Sequence, residues 1–109
     1  MALYSTQLAI INTDTPGAQY PYTVPGGGGP CIVKNVTWGA VAGAKAGLGI
    51  EDSSLYYAFD FLDNSGGAET IYEFHPTWVV LNPGQKLELY LYEAEFVTAT
   101  ISGYQFSAP

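Results

Sequence analysis

Residues 78–92 read Trp78-Val79-Val80-Leu81-Asn82-Pro83-Gly84-Gln85-Lys86-Leu87-Glu88-Leu89-Tyr90-Leu91-Tyr92. Proline presets φ for the first central position of a type II turn, and glycine takes the positive φ of the second without a Cβ penalty, so residues 82–85 are a tight turn. After the turn, Leu87, Leu89 and Leu91 share one parity while Lys86, Glu88, Tyr90 and Tyr92 share the other. A period of two marks a half-buried strand. Within 96–106, Val97, Ala99 and Ile101 alternate with Thr98, Thr100 and Ser102 in the same way. The expectation is a hairpin-like unit over 77–106, two strands about the turn and a closing strand, that forms the spine of the domain.

Upstream, residues 2–11 read as a first strand and 12–17 as a turn pivoting on Pro16-Gly17. Residues 19–24 are extended, and Pro21 suits a sheet edge better than a sheet centre. The run 25–30, Pro-Gly-Gly-Gly-Gly-Pro, is a connection; no Gly-Lys-Ser/Thr follows it and no helical pattern begins there, so it is no phosphate cradle. Residues 31–41 form a strand of mixed parity: Ile32, Val36 and Trp38 favour one face and Val33 and Val41 the other, so its core face stays open. Residues 40–49 carry three glycines among alanines, each costing about 1 kcal/mol in a helix, and read as a loop or a strand end and turn. In 54–62, Leu55, Tyr57, Phe59 and Phe61 alternate with Tyr56, Ala58 and Asp60. Residues 63–67 are a turn, and 69–74 a strand stopped at His75-Pro76. About seven or eight short strands at this spacing, in one domain spanning 1–109, point to an all-β antiparallel β-sandwich of jelly-roll type.

The bulk composition agrees. A chain of 109 residues can bury roughly 65% of its unfolded surface, enough for a core without disulfides. It is 48% hydrophobic and only 12% charged, the reverse of a disordered chain. The net charge is −7. Lys34, Lys45 and Lys86 are the only fixed cations, and arginine is absent, so there is no cluster to displace counterions from nucleic-acid phosphates or to hold an anionic membrane. Cys31 is alone and closes no disulfide within the chain, which fits assembly in a reducing cytoplasm. The N-terminal residues lack the basic start and apolar run of a signal peptide, and no apolar stretch is long enough to span a bilayer.

Chemistry-bearing residues are sparse. His75, the only histidine, has no His or Cys at metal-ligand spacing and reads as structural or solvent-facing. Asp60, Asp63 and Asn64 have oxygen ligands to offer a hard cation but lack the EF-hand spacing, so an Asx-capped turn is the simpler reading. Glu51, Asp52, Glu88, Glu93 and Glu95 read as solvated charge rather than a facing glycosidase pair. Cys31 reads as a small buried hydrophobe. No catalytic, cofactor-binding or metal-binding residue is assigned, and no cofactor is expected.

Nine tyrosines, five phenylalanines and two tryptophans exceed what one small core needs. Tyr90 and Tyr92 lie opposite the leucines, and Tyr56 lies opposite Leu55, Tyr57, Phe59 and Phe61. Aromatics on a nominally polar face imply a cover: a neighbouring sheet, a protein partner, or a sugar stacked on the rings. Tyr56, Tyr90 and Tyr92 are the candidate interface residues. Tyr20, Tyr22, Trp38 and Trp78 are the candidates for glycan stacking.

Val80-Leu81-Asn82-Pro83-Gly84-Gln85, leading through a strand to Thr100-Ile101-Ser102-Gly103-Tyr104-Gln105-Phe106, together with Tyr22-Thr23-Val24-Pro25 near the start, resembles small virion proteins of tailed bacteriophages. Those proteins are loosely described as head decoration or minor tail proteins. The resemblance implies a non-enzymatic sandwich, commonly a homotrimer, assembled in the host cytoplasm and carried on the virion. Its partners would be copies of itself and the major capsid protein or another virion protein. It brings no catalytic residues with it.

Overall fold

The computed structural model describes residues 3–106. They form eight strands: β1 (Leu3–Thr13), β2 (Gly17–Thr23), β3 (Cys31–Ala40), β4 (Lys45–Asp52), β5 (Leu55–Asp63), β6 (Ile71–Leu81), β7 (Lys86–Leu91) and β8 (Val97–Phe106). One four-stranded sheet has the order β1-β8-β3-β6 and the other β2-β7-β4-β5, with every pairing antiparallel. This is an all-β sandwich with jelly-roll connectivity, as the spacing of strands and turns indicates. The expected first strand begins at Ala2, which lies outside the described residues.

The turn at 82–85 forms as read: Gly84 has φ +87°, and the Gln85 amide donates to the Asn82 carbonyl at 3.0 Å. The hairpin expected around it does not form, because β6 and β7 belong to different sheets, as do β7 and β8. The turn type explains this. Two-residue hairpins use type I′ or II′ turns, whose twist matches paired strands, whereas a type II turn splays them. Splayed strands can enter two sheets, and the corner docks on the end of β2: the Gly84 amide donates to the Val24 carbonyl and the Val24 amide to the Gln85 carbonyl, both at 2.9 Å. The connection that stays within one sheet is β4–β5. There Ser53 and Ser54 both have positive φ, 52° and 69°, the type I′ pattern in a pair without the usual Asn-Gly signal.

Two strand boundaries also differ from the sequence reading. Residues 45–52 are a strand in the middle of a sheet, not a loop. Its glycines fit because aromatic rings from β5 lie across them: a Cβ on Gly47 would sit 2.7 Å from the Tyr56 Oη, and one on Gly49 would sit 2.5 Å from Tyr56 Cε1 and against the Tyr57 carbonyl. Pro76 does not stop β6, which runs on to Leu81. β6 is an edge strand, where a missing N–H breaks no ladder bond on the open side.

Strand parity explains the core. Leu87, Leu89 and Leu91 of β7 and Val97, Ala99 and Ile101 of β8 are fully buried, facing each other across the sandwich with Ala46 and Leu48 of β4. In β3 the buried set is Cys31 and Val33, then Val36, Trp38 and Ala40. The pairing shifts between Val33 and Asn35, so Lys34 is a bulge residue that reverses the alternation, and both halves of the mixed pattern face inward. If the rings over β4 exclude any side chain, Gly49→Ala should cost about 2–3 kcal/mol in urea unfolding. Gly26→Ala, whose Cβ would meet nothing within 4 Å, should change stability by less than about 0.5 kcal/mol.

Candidate functional site

A second bulge builds a cluster of titratable side chains across the two sheets. In the β4–β5 ladder, Leu48 pairs with Asp60 and Gly49 with Ala58, leaving Phe59 as the extra residue. Past it the alternation seen in the sequence reverses: Phe61 turns to the outer face and Asp60 turns inward. The Asp60 carboxylate accepts the indole N–H of buried Trp38 at 2.8 Å and lies 2.9 Å from His75 Nδ1 on β6. The other ring nitrogen, Nε2, lies 2.8 Å from Glu73 Oε1. β5 and β6 are the edge strands on one side of the sandwich, one from each sheet, so the cluster ties the two sheets together along that side.

Partial burial works against a charged His75, but its hydrogen bonds to Asp60 and Glu73, with the field of both carboxylates, outweigh it and raise the pKa above 6.5. An imidazolium donating from both nitrogens fits this arrangement. With both nitrogens engaged by carboxylates, the ring acts as a clamp. Among the described residues, no group of three or more His, Cys, Asp and Glu side chains is placed to hold a metal ion.

The other acidic candidates diverge. Asp63 Oδ1 accepts the Ser65 amide at 2.9 Å and the Ser65 hydroxyl at 2.5 Å, which is an Asx turn and holds its carboxyl below the usual range through those Ser65 bonds. Asn64 is buried, and its amide reaches the Val41 and Glu69 carbonyls at 2.9 Å each and the Ala40 carbonyl at 3.3 Å. It is a plug that pins the β3–β4 and β5–β6 connections. Asp60, Asp63 and Asn64 therefore do not converge on a cation. Cys31 is buried, and burial pushes its thiol up to about 11, away from reactivity.

The aromatic candidates separate into core, cover and surface. Trp38 is fully buried, so it has no face for a sugar; the Lys34 bulge directs it inward. Tyr22 is half-buried and donates its hydroxyl to Gln105 Oε1 at 2.6 Å. Tyr56 lies over Gly47 and Gly49, its hydroxyl buried with no partner among the described residues. Burial, then the neighbouring Tyr92 and Glu88, raises its pKa. Tyr90 and Tyr92 are exposed and meet edge to face at 5.1 Å between centroids. Lys45 stands 5.2 Å over the Tyr92 ring and Lys86 5.3 Å over that of Tyr20, which is itself exposed. Trp78 is exposed and stacks on Tyr104 at 6.4 Å.

The outer face of β2-β7-β4-β5 is thus a patch of rings with a few charges. Glu88 lies within it and is nearly buried; desolvation, then Glu51, raises its pKa, while a hydrogen bond from Tyr20 opposes the shift. Phe61, which parity groups with Phe59 opposite Tyr56, instead shares the Tyr56 side over Gly47, and it is exposed, as are Tyr72, Phe74 and Phe96, which composition and parity do not mark. The alternation of Tyr72 and Phe74 with Ile71, Glu73 and His75 was the available signal. Compared with known proteins, the chain matches no protein-family model and no curated protein sequence.

Because the folded-state pKa of His75 is raised, its clamp is fully effective below about pH 6.5 and is lost as pH rises through the folded-state value. The melting temperature should fall over that upper range in the parent protein and stay flat there in His75→Asn. At about pH 6, where the imidazolium and the carboxylates are charged together, His75→Ala should cost about 2 kcal/mol by leaving the half-buried Asp60 without its cationic partner.

Proposed function

We propose that this chain is a non-enzymatic structural protein of a bacteriophage virion, a capsid decoration protein that binds the shell surface as a homotrimer. The observation that carries the reading is the quantity and placement of exposed ring surface. Tyr20, Phe61, Tyr90 and Tyr92 are 38–53% exposed on one outer face. Contiguous apolar surface rimmed by polar groups is the signature of a docking site, and interfaces are rich in tyrosine and tryptophan and poor in charge.

The sheet edges favour contacts through faces. Each edge strand carries a register irregularity: β1 between Gln7 and Ala9, β2 between Gln19 and Tyr22, β5 at Phe59 and β6 at Thr77 and Trp78. Bulged edges resist strand-to-strand addition. A face contact of standard size removes about 800 Å² per partner, a modest share of the 5589 Å² of accessible surface, so one copy has room for both self-contact and shell contact. Clamping by many copies, each with modest contacts, needs no catalytic group, and His75 is engaged as a clamp. The acidic balance suits a protein on the outside of a shell rather than one on packaged nucleic acid.

A second reading, a minor tail or tail-tip protein or a carbohydrate-binding module for a host receptor, is favoured by one observation. Trp78 is exposed against Tyr104, with Lys34 standing 5.7 Å over the Tyr104 ring, an arrangement that suits a stacked sugar.

Sedimentation velocity at micromolar concentration should show a trimer, and the double substitution Tyr90→Ser, Tyr92→Ser should weaken assembly by at least about tenfold. A clean monomer would overturn the self-associating reading. Co-purification with heads supports decoration; co-purification with tails alone would replace it with the tail assignment.

A further inference from the structure

The outer face of β1-β8-β3-β6 differs from that of the other sheet. Reading across the strands, one row is Asn12, Thr98, Gly39 and Tyr72, and the next is Ile10, Thr100, Thr37 and Phe74. Hydroxyls therefore occupy the centre of the face and rings its β6 side. Gly39 leaves a gap between them. The trough over it has a volume of about 370 Å³ and is lined by Thr37, Gly39, Tyr72, Phe96, Thr98 and Thr100, among others. That volume is in the range of small-molecule sites.

We propose that this trough binds a neutral saccharide. Three features of the lining select that class. First, among the described residues no charged side chain lines the trough, although the chain carries a net charge of −7. A charged ligand would find no counter-charge there, whereas an uncharged one gives up no ionic hydration.

Second, the floor is made of hydroxyls, each able to donate and accept. The Thr98 hydroxyl donates to Asn12 Oδ1 at 3.1 Å and keeps its lone pairs. The Thr37 and Thr100 hydroxyls bond to no other described residue, so they are available to a ligand that carries hydroxyls of its own.

Third, the walls are aromatic. Tyr72 is 80% exposed, and its ring rests where a side chain on Gly39 would be, 3.3 Å from that Cβ position. One edge of the ring thus borders the Gly39 backbone, and most of the ring is open. Phe96, also exposed, stands across the trough. A pyranose has an apolar C–H face that stacks on such a ring and an edge of hydroxyls that meets such a floor. A purely apolar ligand would strand the threonine hydroxyls.

The site is complete in a single copy and does not rest on the virion reading. Its residues are distinct from the Tyr90 and Tyr92 patch on the opposite face.

The test is a titration of the protein, followed by amide chemical shifts, with glucose, galactose, mannose, N-acetylglucosamine, lactose, maltose and cellobiose. At least one should move the Gly39, Thr98 and Thr100 amides saturably, with a Kd in the millimolar range. Tyr72→Ala should then weaken binding about tenfold. Thr100→Val, which keeps the shape and removes one hydroxyl, should weaken it several-fold; should Tyr72→Ala not fold, this variant decides. Tyr90→Ala should bind as the parent does.

No saturable shift with any of the seven sugars overturns the proposal. So do shifts centred on Trp78, or binding unchanged by the trough substitutions. If Tyr72→Ala instead breaks the oligomer, the trough is a contact between copies and the proposal fails. A failed titration leaves the sedimentation result untouched, and a monomeric protein that binds sugar would overturn only the assembly reading.

Discussion

The apolar layer between the two sheets is what the structure depends on. Every connection except the β4–β5 turn carries the chain from one sheet to the other, so few pairs of consecutive strands support each other by ladder hydrogen bonds. No disulfide joins the sheets, because Cys31 is free. What holds them is Leu87, Leu89 and Leu91, with Leu48, packed against Val36, Trp38, Ala99 and Ile101, all fully buried. Each large aliphatic side chain removed from water contributes about 1.5–3 kcal/mol. The sum of such terms sustains a fold whose contacts are mostly distant in sequence, against the loop-closure entropy that such contacts cost.

Bulges then decide what the layer encloses and what it leaves out. The one at Lys34 lets both halves of β3 face inward and puts Trp38 in the core. The one at Phe59 turns Asp60 inward to receive the Trp38 indole N–H and to meet His75. A polar link thus crosses from β5 to β6 at the side of the sandwich where the apolar layer ends. It closes the Trp38 hydrogen bond, which burial would otherwise leave unmade. Bulges on the edge strands also deny a flat ladder to other chains, so association falls to the faces.

The two outer faces use the same local device for different surfaces. On one, Tyr56 lies over Gly47 and Gly49; on the other, Tyr72 lies over Gly39. A glycine beneath a cross-strand ring gives the ring a bare backbone to rest on. On the first face the ring is partly buried, with Tyr92 and Glu88 as neighbours, within a patch suited to a protein partner. On the second, the ring stays open beside a floor of threonine hydroxyls. A thin sandwich with two faces of different chemistry is suited to being held on one side while presenting the other.

Local sequence determined much of this molecule. Parity placed Leu87, Leu89, Leu91, Val97, Ala99 and Ile101 in the core, Pro83-Gly84 made the type II turn, and the alternating runs with turns between them made an all-β sandwich. These follow from a residue's own backbone preferences and its neighbours two positions away. Tertiary structure alone decided which sheet each strand joined, that the glycine-rich run 45–52 was a central strand, and that Pro76 could sit within β6. It also decided where the alternation reversed, and with that the fates of Trp38, Asp60 and Phe61. A bulge is defined by its partner strand, and a glycine such as Gly39 sits in its strand beside a ring, that of Tyr72, which another strand supplies. Neither fact is present in the residues nearby.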